Sequence, residues 1–173
     1  LPTSGKYFLN GQDVALMSND ALATLRNETL GFVFQNFNLL GKRNLIDNVS
    51  MPLMYRSADK HERKERAYDI LEKVKLKGYE RYLPNQLSGG MKQRVAIARA
   101  LIGNPKIILA DEPTGNLDTK TSYEILDLFK DLNHKLGITV IMVTHEHDIA
   151  MMTQRSIRVR DGLVEYDGPP LKD

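Results

Sequence analysis

The hydrophobic positions of this chain fall into short continuous runs and longer helical stripes. Runs at residues 30–34, 107–110 and 138–143 predict three strands. The run at 107–110 has no polar alternation, which predicts a parallel strand buried on both faces, and 138–143 predicts a second buried strand. Because these strands alternate with helical segments, the pattern predicts an α/β fold built on a parallel sheet.

Three longer segments carry the apolar stripe of a helix. The first covers residues 58–76, the second begins at Ser88 and is ended by Gly103 and Pro105, and the third ends at Gly137. The predicted stripe positions are Ala67, Ile70, Leu71 and Val74, then Val95, Ala98, Leu101 and Ile102, then Ile125, Phe129, Leu132 and Leu136.

Shorter elements complete the prediction. Ser18 is suited to cap a helix reaching about Arg26, and a helical stretch at 46–55 is interrupted at Pro52. A short helix is also expected at 149–152.

Two hairpins are predicted near the ends of the sequence. The dipeptides Asn-Gly at 10–11 and Asp-Gly at 161–162 are typical two-residue turns, and they predict strand pairs within 1–14 and 156–166. Residues 36–90 contain no strand pattern, so this block is expected to form a helical subdomain beside the sheet, within one domain spanning 1–173.

Composition narrows the class of protein. The 173 residues are 42% hydrophobic and 27% charged, as in a folded globular domain. A net charge of +2 is too small to argue for a nucleic-acid or anionic-membrane partner, and the basic run at 60–66 mixes signs, with Glu62 and Arg66 one helical turn apart. The absence of cysteine excludes a disulfide framework. No apolar run approaches the roughly 20 residues that span a bilayer. We therefore expect a cytoplasmic protein.

The candidate chemistry lies around residues 87–118. Ser88 is suited to cap the second long helix, and Gly89 and Gly90 leave its start accessible to an anion. Asp111 and Glu112 follow the strand at 107–110, at the end of a parallel strand where open α/β sheets bind ligands. These features predict an anion-accessible helix start and a ligand site at the strand end, and their order and spacing argue against a chance combination.

Three segments carry a family resemblance: GFVFQNFNLL at 31–40, LSGG at 87–90 and ADEPTGNLD at 110–118. They resemble the Q-loop, the signature motif, and the Walker B motif with D-loop of the ATP-binding cassette (ABC) ATPases. The similarity is greatest to the subgroup for lipoprotein release, macrolide export and antimicrobial-peptide resistance. The resemblance implies a P-loop NTPase-like parallel sheet with a helical signature subdomain. It also implies an ATP-binding, Mg²⁺-dependent ATPase subunit that powers a separate membrane permease.

The resemblance assigns a role to each polar residue at the strand ends. Asp111 is the Walker B acid that holds Mg²⁺ through water, and Glu112 is the general base that polarises the attacking water. Gln35 is the Q-loop residue, whose amide reaches both Mg²⁺ and that water. His145, which follows the strand at 138–143, is the switch histidine that contacts the γ-phosphate.

The resemblance also implies partners. Ser88, Gly89 and Gly90 bind the nucleotide of a second ATPase subunit in a head-to-tail dimer, because the positive end of a helix dipole faces its γ-phosphate. Asp118, in the D-loop, links the two sites. The second subunit is an identical copy or a paralogue. The permease docks near Gln35 and residues 37–40, which places the protein peripherally on the inner face of the cell membrane. No nucleic-acid partner is expected.

One family motif is absent from the sequence. The phosphate-binding loop G-x-x-x-x-G-K-[ST] does not occur, since the Gly-Lys pairs at 5–6 and 41–42 are not followed by Ser or Thr. Residues 1–5 resemble the family segment just after the P-loop helix. We therefore expect a chain truncated at its N-terminus, without the first strands, the P-loop (Walker A) and the adenine-stacking aromatic residue. We therefore expect this polypeptide alone to bind ATP weakly or not at all. We also expect a gap in the sheet beside the Walker B strand, which would expose apolar surface.

Two other functions stay open at this point. One is a soluble ABC ATPase of repair, translation or division, not coupled to transport. The other is an inactive truncated fragment that retains the motifs. The short spacing between Gln35 and Ser88 and the single cassette favour the transporter subunit, and the TGNLD and FNLL details favour export or extraction from the membrane.

Overall fold

The computed structural model of the chain describes residues 3–9, 11–56 and 58–171. The strands are β1 (Phe8–Leu9), β2 (Gln12–Asp13), β3 (Leu30–Phe34), β4 (Ile107–Asp111), β5 (Thr139–Val143), β6 (Ser156–Arg160) and β7 (Leu163–Gly168). The α-helices are α1 (Asn19–Thr29), α2 (Leu45–Ser50), α3 (Lys60–Lys73), α4 (Gly89–Leu101), α5 (Thr119–Leu136) and α6 (His147–Met151). Segments of 3₁₀ helix cover Val14–Leu16, Met51–Arg56 and Pro84–Gln86.

The centre of the fold is a parallel sheet in the order β3-β4-β5. Five residues of each strand pair in register, so that Phe34, Asp111 and Val143 lie side by side at the carboxyl end. One face of the sheet packs on α4 and α5 and buries Val33, Ile108 and Ala110. The predicted α/β fold with a parallel sheet is confirmed.

The opposite face of the sheet is open, which corrects two predictions. In β4 only Ile108 and Ala110 are buried, so this strand is buried on one face and not on both. Strand β5 is an edge strand whose Ile141 and Val143 are 49% and 61% exposed, so 138–143 is not a buried strand. The physical reason is that, within the described residues, helices pack on one face of the sheet only.

The predicted gap beside the Walker B strand is also wrong. That strand is β4, and it pairs with β3 on one side and with β5 on the other. Apolar surface is exposed elsewhere, on the open face, where the rings of Phe32 and Phe34 stack with centroids 6.1 Å apart.

Helix α4 crosses the sheet closely because β3 contains a glycine. A Cβ atom at Gly31 would lie 2.8 Å from the carbonyl oxygen of Ala100, closer than a real Cβ can approach backbone. The predicted stripe of α4 is buried, as are the predicted core positions of α5 except Leu136. Leu136 is 60% exposed because it lies in the last turn of α5, next to the left-handed cap at Gly137.

The segment between β3 and α4 is helical and contains no strand within its described residues. The helix predicted at 46–55 is α-helical only to Ser50 and continues as 3₁₀ helix, where Pro52 has no N–H to donate. Helix α3 is shorter than predicted, since Asp59 caps it and it ends at Lys73. Its Glu62 and Arg66 form the expected pair, at 3.4 Å.

Both predicted hairpins are present. Strands β1 and β2 pair antiparallel around the turn whose first residue, Asn10, lies outside the described residues, as do Leu1 and Pro2. Strands β6 and β7 pair antiparallel across Asp161 and Gly162, which both have positive φ. Across the described ranges, none of the helices has the length and hydropathy required to cross a membrane.

Candidate active site

The parallel sheet brings the predicted polar residues to one edge. Gln35 follows β3, Glu112 follows β4, and Thr144 and His145 follow β5, while Asp111 is the last residue of β4. Because the three strands end level with one another, these side chains leave the sheet from the same side.

Glu112 and His145 are in direct contact. The Nδ1 atom of His145 lies 2.6 Å from Oε1 of Glu112, and the backbone N–H of His145 donates to the same oxygen at 3.0 Å. The other oxygen, Oε2, accepts only a longer hydrogen bond from the Thr144 hydroxyl, at 3.4 Å. Glu112 itself has a φ of 43°, and its N–H donates to the carbonyl of Val143. Residues at the end of β5 therefore fix the position of the Glu112 carboxylate. Of its two oxygens, Oε2 has the weaker hydrogen bonding.

This contact raises the pKa of His145 above its ordinary value of 6.5, first because the imidazole donates a hydrogen bond to Glu112 and second because of the negative charge of that carboxylate. We expect the imidazole to titrate above 6.5 in an NMR titration, and the Glu112→Gln variant to lose that elevation. Since the folded-state pKa is the higher one, the pair stabilises the fold fully below the unfolded-state pKa, and this contribution is lost as pH rises through the raised value. An unchanged titration in Glu112→Gln would refute the pairing.

Asp111 is the residue best placed to bind a metal ion. Its carboxylate is exposed, and within the described ranges no hydrogen bond or ion pair engages the side chain. No group of three or more acidic, histidine or cysteine side chains in those ranges could hold a metal without help. A single free carboxylate fits Mg²⁺, which is commonly bound by one or two carboxylates together with substrate phosphates and water.

Gln35 lies against the loop that follows Glu112. Its Nε2 atom occupies the space beside Gly115, where a Cβ would approach it to 2.6 Å. Asn116 donates from Nδ2 to the Gln35 carbonyl at 3.0 Å and to the Asn36 side chain at 3.2 Å. These contacts join residues 35–36 to residues 115–116, in the loop that follows Asp111 and Glu112.

The start of α4 is formed as predicted and lies beside the loop that follows Glu112, where a Cβ at Gly89 would meet Leu117 and Asn116. The Ser88 hydroxyl accepts a hydrogen bond from the N–H of Met91 at 3.3 Å, so Ser88 is the N-cap. Within the described chain, no hydrogen bond or ion pair connects Ser88, Gly89 or Gly90 with Asp111, Glu112 or His145. The structure therefore brings the four predicted strand-end residues to one edge of the sheet, while the Ser88–Gly90 turn contacts the adjoining loop and, among the described residues, forms no hydrogen bond with those four.

Asp118 is the N-cap of α5. Its carboxylate accepts from the backbone N–H of Thr121 at 3.0 Å and from the Thr121 hydroxyl at 2.6 Å. These hydrogen bonds lower the pKa of Asp118, the one from the hydroxyl contributing most. The nucleotide-binding role predicted for Asp118 stays a prediction, because its oxygens serve its own helix here.

The first turn of α4 depends on a glycine at position 90. A Cβ there would lie 2.4 Å from the Cγ2 methyl of Thr121, whose hydroxyl is bound to Asp118. We expect Gly90→Ala to lower the free energy of unfolding by about 1–2 kcal/mol, measured by urea denaturation, despite the better helix propensity of Ala. Thr121→Ser removes the methyl and keeps the hydroxyl.

The double variant Gly90→Ala/Thr121→Ser should therefore regain the parent stability, and Thr121→Ser alone serves as the control. Equal stability of Gly90→Ala and the parent would show that the contact is relieved without cost.

Two further residues of α4 contact the site loops and were not predicted from sequence. Gln93 is fully buried and donates from Nε2 to the Pro113 carbonyl at 2.6 Å, although its Oε1 has no hydrogen-bond partner among the described residues. Arg99 is 9% exposed and donates to the carbonyls of Phe37 and Asn38. For Arg99 the available signal is that it is the one polar side chain in the apolar stretch 95–101, whereas Gln93 stands between Lys92 and Arg94 and has no such signal.

Comparison with known proteins relates the chain to one family. A family model described as ABC transporter matches residues 1–115. The uncharacterized ABC transporter ATP-binding protein YvrO of Bacillus subtilis (strain 168) is 52% identical over 166 residues, which are 96% of this chain and 72% of that protein. The macrolide export ATP-binding/permease protein MacB of Rhodopirellula baltica is 51% identical over 168 residues, 96% of this chain but 25% of its own length.

Solved structures give the same relationship. The ATP-binding cassette MJ0796, in a dimeric post-hydrolysis state bound to ADP and Pi, superposes with a TM-score of 0.85 at 40% identity, covering 99% of this chain and 76% of that one. CbiO1 of Clostridium perfringens, part of the transporter complex cbiONQ, superposes with a TM-score of 0.87 at 29% identity, covering 98% and 67%.

Proposed function

This chain belongs to the ABC transporter family, and from that premise we propose that it hydrolyses ATP, with Mg²⁺, to drive a separate membrane permease. The observation that carries the proposal is the carboxylate of Glu112, held by His145 and Thr144 beside the free carboxylate of Asp111. Phosphoryl transfer to water requires mainly positioning and charge neutralisation, and this arrangement offers both.

Each residue has one task in the proposed reaction. Oε2 of Glu112, the oxygen with the weaker contact, accepts the proton of the attacking water. His145 and Thr144 orient that carboxylate. Asp111 holds Mg²⁺, which when bound neutralises phosphate charge, and Gln35 directs its amide toward the same place.

We propose that two copies of the site form in a head-to-tail dimer of this chain with itself or a paralogue. Ser88 is exposed at the start of α4, so a nucleotide held by the strand-end residues of a second subunit can reach it. The dimeric state named for the MJ0796 cassette is in line with this arrangement. Asp118 caps α5 within one subunit and forms part of the link between the two sites.

The remaining proposals concern the surroundings of the ATPase. Residues 36–90 form a helical subdomain inserted in a single ATPase domain spanning 1–173, and the permease docks on it near residues 37–40. The protein then lies in the cytoplasm, on the inner face of the membrane, through the permease. The name of MacB favours export as the direction of transport.

The absence of G-x-x-x-x-G-K-[ST] from the sequence leads to one more proposal: residues 1–173 alone bind ATP weakly or not at all. The test compares polypeptide 1–173 with the protein expressed from its natural gene, by calorimetric titration with ATP. If the two proteins bound ATP with equal affinity, the proposal that residues 1–173 bind ATP weakly would be wrong. The roles proposed for the strand-end residues would not be affected.

The transporter function is tested by purifying the protein expressed from its natural gene out of detergent-solubilised membranes. We expect a multispanning membrane protein to co-purify in fixed ratio, and ATP hydrolysis to require Mg²⁺. The Glu112→Gln variant, purified in the same way, controls for contaminating ATPases. Recovery in the soluble fraction with hydrolysis intact would favour a soluble ABC ATPase, and no hydrolysis at all would favour an inactive fragment.

A further inference from the structure

The loop that follows Gln35 has an unfavourable backbone conformation. Phe37 and Asn38 have φ values of 59° and 48°, in the left-handed region, and neither is glycine. Consecutive left-handed residues with side chains are disfavoured by contact between Cβ and the backbone. Such a turn persists only where surrounding contacts stabilise it.

The side chain of Arg99 supplies these contacts. Its Nη1 atom donates to the Asn38 carbonyl at 2.5 Å and its Nη2 atom donates to the Phe37 carbonyl at 2.8 Å. The two donors of a planar guanidinium match two successive carbonyls, which an ammonium group does less well. Within the described ranges no carboxylate forms an ion pair with Arg99, so these carbonyls are its polar partners.

Other side chains hold the loop on either side of the turn. Asn116 binds the carbonyl of Gln35, before the turn. The buried Asn48 accepts from the Leu40 N–H at 2.7 Å and donates to the Leu40 carbonyl at 3.2 Å, after the turn. Among the described residues, Arg99 alone provides side-chain hydrogen bonds to the carbonyls of the turn itself.

We propose that Arg99 is a positioning residue for the ATPase reaction: by holding the Phe37–Asn38 turn, it keeps the Gln35 amide in its place beside Gly115, in the loop that follows Glu112. This inference rests on the proposed function of Gln35.

The first test measures the loop directly, by hydrogen exchange of the protein expressed from its natural gene. In Arg99→Met, which removes the charge together with its hydrogen bonds, we expect backbone amides of residues 37–40 to exchange at least about tenfold faster. Arg99→Lys keeps the positive charge and one donor nitrogen, and it should give an intermediate exchange rate. If Arg99→Met does not fold, Arg99→Lys alone provides the test.

The matched control is Arg94, another partly buried arginine of α4, which pairs with Glu124 at 3.1 Å. Arg94→Met and Arg94→Lys should leave exchange at 37–40 unchanged. Faster exchange throughout α4 and β3 in Arg99→Lys would show a general structural role, and unchanged exchange at 37–40 would show that Arg99 does not hold the turn. Either result overturns the proposal.

The second test separates positioning from binding. Arg99→Met should lower kcat about tenfold while the Kd for ATP stays within about twofold, and Arg99→Lys should recover part of the loss. In a Gln35→Ala background the same substitution should lower kcat no further, because its effect acts through Gln35.

Additive losses would overturn the role of Arg99 while leaving Gln35 in place. If Gln35→Ala instead had the kcat of the parent, the proposed function of Gln35 would be wrong. The hydrogen-exchange experiment would still decide whether Arg99 holds the turn.

Discussion

Replacing Glu112 with glutamine is expected to lower ATP hydrolysis by about 10²–10⁴-fold while ATP binding is retained. The amide has the size of the carboxylate and still offers an oxygen to the N–H of His145, so the geometry of the strand ends is kept. It cannot take a proton from water, which removes the general base alone. Single-turnover hydrolysis and a direct titration with ATP measure the two effects separately, and light scattering should detect an accumulated ATP-bound dimer.

The matched control is Glu146→Gln, which removes a carboxylate of the same size one residue beyond His145. Glu146 is exposed, and its side chain makes no hydrogen bond to the site. Its hydrolysis should remain within about twofold of the parent. If Glu112→Gln hydrolysed ATP at the parent rate, Glu112 would not be the general base.

Placing a carboxylate in the signature motif, as Gly89→Asp, is expected to abolish the ATP-bound dimer and reduce hydrolysis about 100-fold or more. The fold should be retained, because a Cβ at this position meets the flexible end of Leu117 at 3.2 Å and the Asn116 carbonyl oxygen at 3.7 Å, which is an ordinary van der Waals contact. A negative charge at a helix N-terminus also favours the folded chain. The same charge repels the γ-phosphate that the helix start is proposed to contact. Thermal unfolding, light scattering with ATP, and hydrolysis measure these three consequences.

Gly89→Ala is the control, since it adds the same Cβ without the charge and should retain most of the dimer. A mixing experiment then tests the head-to-tail arrangement. In a mixed dimer of Glu112→Gln and Gly89→Asp, one site carries both changes and the other carries neither. Mixing should therefore restore hydrolysis that neither variant has alone. No recovery on mixing would contradict a site shared between two subunits.

The sequence was sufficient to locate the helices and strands. Glycine and proline end the helix after Ser88, Asp and Ser side chains cap helices, and each hairpin has its turn dipeptide, so local rules predict these elements. Their order along the chain predicts a parallel sheet, because a strand followed by a crossover helix returns parallel. The end of the strand at 107–110 then predicts a ligand site at Asp111 and Glu112, and the family resemblance adds Gln35 and His145 to that site.

Burial could not be predicted from the same pattern. The apolar run at 138–143 predicts a buried strand, whereas β5 is an edge strand with Ile141 half exposed. An apolar run indicates only that a strand is able to be buried. Whether another element covers each face depends on how helices pack, which no local rule contains.

Tertiary structure alone decided which polar atoms meet. The Glu112 carboxylate contacts His145 across 33 positions of sequence, and Arg99 reaches the carbonyls of Phe37 and Asn38 across 62 and 61. A hydrogen bond needs its donor and acceptor within about 3 Å, and strand register and helix crossing set such distances to a fraction of an ångström. By itself, then, the sequence determined the elements and the residues capable of chemistry, because propensities and motifs are local. Only the tertiary structure could show that Glu112 pairs with His145 and that Arg99 of α4 binds the loop after Gln35.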